Sequence, residues 1–293
     1  MIPFFQKLGM VYHVGDLEAP DFVAKLVKEE KINGVIHCAA LTSPIGPWEK
    51  FYRANVLATT HLVEMAKKVS FQRFIHISTP SIYFNGKARI DVREDMPLPL
   101  PYTPYAKSKL MAEEVVDGLQ AAGVPTLTLR PRAIIGPTDQ VLMPRILRLM
   151  AKGIFPLFHG GTAMTDLTYV DNVVHAIALC LQAGPEAWYK KFNITNGQPR
   201  TVMSLCTEIE QELGWKIHYL PLPLTPVLSL AKAMEKIALC LGQEKEPALS
   251  AYGIGLLGLD HTLSIALARH DLGYEPPVDL SRGLKEALAP WKK

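Results

Sequence analysis

Tyr105-Ala-Lys-Ser-Lys109 is the stretch whose reading places the rest of this chain. Thr103 and Pro104 stand just before it, a hydroxyl N-cap and a proline at the first helical position, and Leu110, Met111 and Ala112 carry the helix on. Tyrosine and lysine four apart share a helix face, about one turn from each other. An ammonium beside a phenol favours the phenolate and lowers a pKa that starts near ~10. A tyrosine tuned in that way can move a proton to or from a carbinol or carbonyl oxygen near neutral pH. The same spacing also occurs on ordinary solvated helix faces, so the flanking segments decide.

Outward from that helix the pattern is regular. Met10–Val14 reads as a short apolar strand closed by Gly15-Asp16-Leu17. Asp21–Glu30 is an amphipathic helix, Gly34–Ala40 a second strand ending in small residues, Phe51–Lys68 a helix and Phe71–Ser78 a third strand. Pro125–Arg130, after the Tyr105 helix, is a fourth. Strands alternating with helices predict an α/β fold with a doubly wound parallel sheet. Ligands of such sheets sit beyond the carboxyl ends of the strands. Asp16, Ala39, Ala40, Ser78, Thr79 and Pro131 fall at those ends.

Of the 293 residues 48% are hydrophobic, enough to core one large domain, or one with a subdomain. A net charge of +3 is too small an excess to imply nucleic acid or an anionic membrane as partner. Cys38, Cys180, Cys206 and Cys240 are scattered, without a C-x-x-C, and read as buried thiols of a reducing compartment. Met1-Ile-Pro-Phe-Phe is followed at once by polar residues, unlike a signal peptide, and the uncharged run 248–259 is too short to span a bilayer. A cytoplasmic protein with no transmembrane span is expected. His37, His76 and His159 have no partners at ligand spacing, so no metal site is expected.

A co-linear set of short motifs adds to this reading. It comprises Gly15-Asp-Leu17, His37-Cys-Ala-Ala40, Ala54-Asn-Val56, Ile77-Ser-Thr-Pro-Ser-Ile-Tyr83, Tyr105-x-x-x-Lys109, Leu129-Arg-Pro131, Ile135-Gly-Pro137 and Leu167-Thr-Tyr-Val-Asp-Asn172. The set resembles an extended short-chain dehydrogenase/reductase, of the NAD-dependent epimerase/dehydratase superfamily. The C-terminal half, with Glu246-Pro-Ala-Leu and Ala268-Arg-His-Asp-Leu-Gly-Tyr-Glu-Pro276, is most similar to the 3β-hydroxysteroid dehydrogenase-like branch. The resemblance implies a Rossmann-like dinucleotide-binding core over residues 1–137. Residues 138–293 then form a mainly substrate-binding subdomain, with 165–200 returning to the core. It implies an enzyme, a nicotinamide-dependent oxidoreductase acting on a secondary alcohol or ketone of a small hydrophobic molecule, sterol-like or β-keto acyl; a nucleotide-sugar epimerase or dehydratase, or a non-catalytic dinucleotide-binding sensor or scaffold, stands as the alternative. The cofactor is NAD or NADP, and a homodimer is allowed. Tyr105 resembles the catalytic acid/base, Lys109 its partner and ribose ligand, and Thr79 the residue that hydrogen-bonds the substrate oxygen. Asp16, Leu17, Ala39, Ala40, Asn55, Ser78, Pro131 and Ala133 fall at cofactor positions, and Ser81 and Tyr169 at substrate positions. Plain alternatives stand beside these roles: turn chemistry for Ser78, Thr79 and Ser81, a helix N-cap for Asp16, core packing for the alanines and Tyr169, and solvation for Asn55.

The chain also departs from the pattern. The family opens with a strand, a glycine-rich turn and a helix that hold the pyrophosphate, and nothing before Met10 supplies them. An N-terminally truncated sheet is therefore expected, its missing strands lying between Met10–Val14 and Gly34–Ala40 and its edges bare. Weak dinucleotide binding by residues 1–293 alone follows. Gly253-Ile-Gly255-Leu-Leu-Gly258 matches G-x-G-x-x-G, but no βαβ unit surrounds it, so it is not read as the phosphate loop. On the substrate side, residues 225–241 place Val227, Leu230, Ala231, Met234, Ile237, Ala238 and Leu241 at helical spacing. This helix packs on the core, or else serves as a lid over a lipid-like substrate or a membrane-surface helix.

Overall fold

Phe74 and Ile75 are neighbours on one strand, both fully buried, yet they enter different cores. Side chains alternate along a strand, so burial on both sides requires a layer on each face. The computed structural model describes residues 5, 7–43, 45–240 and 250–292. Its main sheet has four parallel strands, β1 (Gly34–His37), β2 (Arg73–Ile77), β3 (Thr126–Pro131) and β4 (Lys191–Ile194), side by side in that order. One face is covered by α1 (Pro20–Glu29), by α2 (Trp48–Phe51, a π-helical turn Tyr52–Leu57, then Ala58–Lys68) and by α3 (Pro104–Asp117). Val23, Leu62, Val63 and Val116 from these helices, with Leu119 just beyond α3, pack on Phe74. On the other face Ala176 and Cys180 of α4 (Val170–Gln182), with Ala268 and Leu272, pack on Ile75, Leu127 and Leu129. The sheet is thus wound on both faces, as the alternation of elements predicts.

The strand expected at Met10–Val14 does not form. Met10, Val11 and Val14 are exposed without regular structure, because no described strand offers them a ladder, and an unpaired extended segment keeps its backbone groups in water. The outer edge of β1 is correspondingly free among the described residues. β1 also ends at His37, so Ala39 and Ala40 belong to the loop beyond it. Cys38 in that loop is exposed, unlike Cys180 and Cys206, which are buried free thiols as expected.

Between β3 and β4 the chain makes an excursion. Ile135, Met143, Leu147 and Phe155 of this excursion build a separate core with Leu205 and Leu284 from beyond β4. A small second sheet runs in the order Arg200–Thr201, Met164–Thr165, His261–Leu263, Arg89–Val92. Its last pairing sets the C-terminal segment beside the chain that follows β2. Gly253-Ile-Gly255-Leu-Leu-Gly258 lies inside the helix Ala251–Gly258. A Cβ on Gly255 would come within 2.7 Å of Phe84, and one on Gly258 within 2.5 Å of Leu224, so these glycines serve close packing. The helix Leu224–Cys240 is only partly a core element: Leu224 and Ala231 are buried, but Leu230, Met234 and Ile237 face water. The Glu246-Pro-Ala-Leu segment lies outside the described residues. Among the described residues no helix is long and apolar enough to cross a membrane.

Candidate active site

The Tyr105 helix starts where the sequence places it. The Thr103 hydroxyl accepts from the Ala106 N–H at 3.1 Å, and Pro104 takes the first turn. Tyr105 is half-buried and Lys109 fully buried. The Lys109 Nζ donates to the carbonyl of Ile77 at the carboxyl end of β2, at 2.8 Å, and stands 3.3 Å from His76 Nε2. An ammonium can only donate, so His76 accepts through Nε2; its Nδ1 is buried and meets no partner among the described residues. Thr79 follows β2 and caps the short turn Pro80–Tyr83, taking the Ser81 N–H at 3.2 Å. Its hydroxyl donates to Ser81 Oγ at 3.0 Å and also hydrogen-bonds the Tyr105 phenol. Thr79, Tyr105 and Lys109 therefore converge beyond one strand end, where α/β sheets hold ligands.

The electrostatics correct one expectation. Burial pushes the Tyr105 phenol up to about 12, and the Thr79 hydrogen bond opposes this. Lys109 does not offset the rise, because its Nζ is turned to Ile77 and His76. Burial also brings Lys109 down to about 8, Glu113 and Cys38 resisting. His37, 5.4 Å from His76 across the ladder, is held neutral, its pKa lowered to about 3 by burial and then by Lys109.

Behind these groups lies a buried network that the sequence reading did not pick out. Glu113, one turn past Lys109, accepts from Arg130 Nη2 at 2.6 Å and Nε at 2.9 Å, and from Ser78 Oγ at 2.5 Å. Arg130 also donates to the Tyr83 hydroxyl at 2.5 Å, which donates to Asn193 at 2.9 Å. Together these bonds hold Glu113 below the ordinary carboxylate range despite burial. A signal was present: Tyr105, Lys109 and Glu113 recur at four-residue spacing, hence on one face.

The other expected residues divide. Ser78 has its hydroxyl engaged by Glu113, so it supports the site from behind. Asn55 is buried and not solvated; it donates to Leu41 O and Ser108 Oγ and accepts from Leu41 N, tying the loop after β1 to α3. Ser81 is joined to Tyr252 at 2.9 Å, a residue the sequence reading missed. Tyr169 packs in the excursion core and donates to Glu286 at 2.5 Å, a structural role that takes it from substrate contact. Asp16 makes a turn, accepting from Glu18 N at 2.9 Å, and is not a helix cap; Leu17 packs against α1 and α2. Pro131 is buried at the end of β3, and Ala133 follows at φ 43°, a left-handed backbone uncommon for alanine. Ala39 and Ala40 lie open beyond β1. Among the described residues Lys109, Tyr105 and Thr79 stand together beyond β2, and no glycine-rich turn opening a helix against the sheet is present.

Comparisons with known proteins agree with this fold. The model of the NAD dependent epimerase/dehydratase family matches residues 6–195. The chain is 36% identical over 293 residues to the uncharacterized protein YbjS of Escherichia coli, covering 97% of this chain and 85% of the relative. It is 31% identical over 252 residues to the 4-hydroxy-2-methyl-3-oxo-4-farnesyl-3,4-dihydroquinoline-1-oxide ketoreductase of Stigmatella aurantiaca, covering 85% and 75%. Sterol dehydrogenases are also among the relatives. The solved UDP-glucuronic acid 4-epimerase of Bacillus cereus, in complex with UDP-glucuronic acid and NAD, shares the fold at a TM-score of 0.74 and 22% identity, covering 97% of this chain and 83% of that one. The chain belongs to the NAD dependent epimerase/dehydratase family, and is an enzyme of that NAD(P)-using group.

Proposed function

We propose that this enzyme interconverts a secondary alcohol and a ketone on a hydrophobic, sterol-like or β-keto acyl, substrate. The observation that carries this reading is the meeting of Thr79, Tyr105 and Lys109 beyond β2. The dinucleotide, when bound, supplies or takes the hydride. Thr79 donates to the substrate oxygen and holds it beside the phenol. In reduction Tyr105 gives its proton to the oxygen as negative charge develops there; in oxidation it takes the proton back. A phenol held near 12 is a good donor to an alkoxide. Lys109 holds the end of β2 through Ile77 and presents its remaining N–H to the ribose side. The farnesylated ketone in the name of one relative, and the sterols of others, support an apolar substrate.

Epimerisation is the second reading, favoured by the likeness in fold to the sugar-nucleotide enzymes, and it would use the same three residues. NAD that stays bound and unexchanged through purification would favour it. Tyr105→Phe tests the shared core of both readings. Turnover is expected to fall by roughly 10²–10⁴, the range for losing a general acid or base, with cofactor affinity kept. Turnover within about threefold of the parent would overturn the assignment.

A further inference from the structure

β1 and β2 each carry a histidine at the same level of the ladder, His37 opposite His76. His76 lies two residues past Phe74, so it shares the sheet face on which α3 packs. Both rings are sealed, at 0% and 3% exposure, where an aliphatic side chain would fill the volume without burying polar atoms. Burial, and then the Lys109 charge, hold both neutral. A buried neutral imidazole still has one donor and one lone pair, and the uses of these atoms can be worked out.

An ammonium has three N–H groups and no lone pair. Lys109 gives one to the Ile77 carbonyl at 2.8 Å and one to His76 Nε2 at 3.3 Å, which leaves a single N–H. His76 therefore carries its own proton on Nδ1. Thr59 fixes the second ring. Its hydroxyl proton goes to the Asn55 carbonyl at 2.6 Å, so it accepts from His37 Nε2 at 2.8 Å, and the His37 lone pair sits on Nδ1. The two rings, 5.4 Å apart, thus hold complementary tautomers. The other titratable groups around Lys109 are Tyr105 and Glu113 on its own helix and Cys38 beyond β1, while Lys191 of β4 adds its charge at His76. Glu113 is already taken by Arg130, Ser78 and Lys191. Among the described residues, then, no carboxylate bonds the Lys109 ammonium, and His76 is the side chain that does.

We infer that His76 is a positioning residue for Lys109: its Nε2 lone pair keeps the lysine in the ammonium form and, with the Ile77 carbonyl, leaves one N–H for the ribose. This rests on the role given to Lys109 above and adds what sets its charge. Burial alone strips a lysine of its proton, and a lone pair pointed at the ammonium opposes that loss without bringing in a second charge. His37, fixed by Thr59, supplies a neutral neighbour at the same level, so no competing cation stands there.

NMR titration of the lysine side chains reads the ammonium directly and needs no turnover. Its failure is therefore separable from failure of the oxidoreductase reading, which Tyr105→Phe probes. The parent should show one lysine titrating near 8, absent from Lys109→Met. Imidazole nitrogen spectra should place the His76 proton on Nδ1. His76→Phe keeps a ring and removes the lone pair, so the proton affinity of Lys109 should fall about tenfold, the scale of a lost hydrogen bond to a charged group. His76→Gln offers an acceptor where Nε2 stood and should hold that affinity within about twofold of the parent. A His76 proton found on Nε2 overturns the inference, as does a Lys109 titration unmoved by His76→Phe. So does a fall as large in His76→Gln, which would mark a packing effect. Should His76→Phe not fold, the tautomer in the parent and the glutamine variant still decide.

Discussion

Around β3 the molecule buries charge and pairs it, whereas around β1 it leaves apolar side chains in water. Glu113, Arg130, Ser78, Tyr83 and Asn193 are all buried and joined by hydrogen bonds between 2.5 and 2.9 Å. β1, two strands away, carries Ile36 at 43% exposure, and the segment 10–14 runs past without pairing. The groups proposed above for proton transfer rest on the closed half, since Lys109 and Glu113 lie one turn apart on α3 and Thr79 follows Ser78. Positions that must hold to a fraction of an ångström are thereby fixed by groups that cannot move without exposing a charge. Asp16, Ala39 and Ala40, expected from the sequence at cofactor positions, belong to the open half, which has no comparable brace.

The sharpest way to break this contrast is Glu113→Gln. Removing one partner of a buried pair leaves Arg130 uncompensated, and a loss of about 3–5 kcal/mol is expected in urea unfolding. The pH dependence should change with it. Because the folded protein holds Glu113 below the ordinary value of 4.5, its contribution is fully present above that pH and is lost as pH falls below it. The variant should therefore show a flatter acid limb. A loss under about 1 kcal/mol would mean the network is not the brace described here.

Lys109→Met comes next, because Lys109 joins the two halves. Its ammonium bonds Ile77 on β2 and, in the function proposed above, faces the ribose, so cofactor affinity and turnover should fall together. Each is expected to drop by roughly 10–100-fold, the scale of a hydrogen bond to a charged group. Stability should respond to pH in the same sense as for Glu113, but in a higher window. A lysine lowered to about 8 in the fold is bare there while the unfolded chain still holds its proton up to 10.5, so parent stability gains with rising pH across that window, and the variant should lose the gain. An unchanged cofactor dissociation constant would place Lys109 outside the binding site.

What the sequence made legible follows the same division. The helix start at Thr103-Pro104 and the pairing of Tyr105 with Lys109 could be read because capping and four-residue spacing are local rules, while Thr79 joined them only through the resemblance to the family. That β1, β2 and β3 belong to one parallel sheet followed from the alternation of elements, whereas β4 went unread. Tyr252 could not be read, because its contact with Ser81 joins positions more than a hundred residues apart. Met10–Val14 looked like a strand because its composition is apolar, but a strand exists only with a partner, and composition does not report that. The exposure of Leu230, Met234 and Ile237 is a failure of the same kind: periodicity shows that a helix has an apolar face, not what covers it.

The smallest effect expected is also the most direct comparison, since Ile36 and Ile75 are paired across the β1–β2 ladder. Paired residues in a sheet lie on one face, and α4 packs over Ile75 without reaching Ile36. Deleting one methylene therefore asks the same question at two sites that differ only in cover. Ile75→Val should cost about 0.5–1.5 kcal/mol, because the void is opened inside a packed core. Ile36→Val should stay within about 0.5 kcal/mol, because water already reaches that side chain. Equal losses would show that the outer face of β1 is covered in solution. If both losses shrink on dilution, the cover is a second copy of the chain, lost by mass action; if they persist, a segment of the same chain lies over β1.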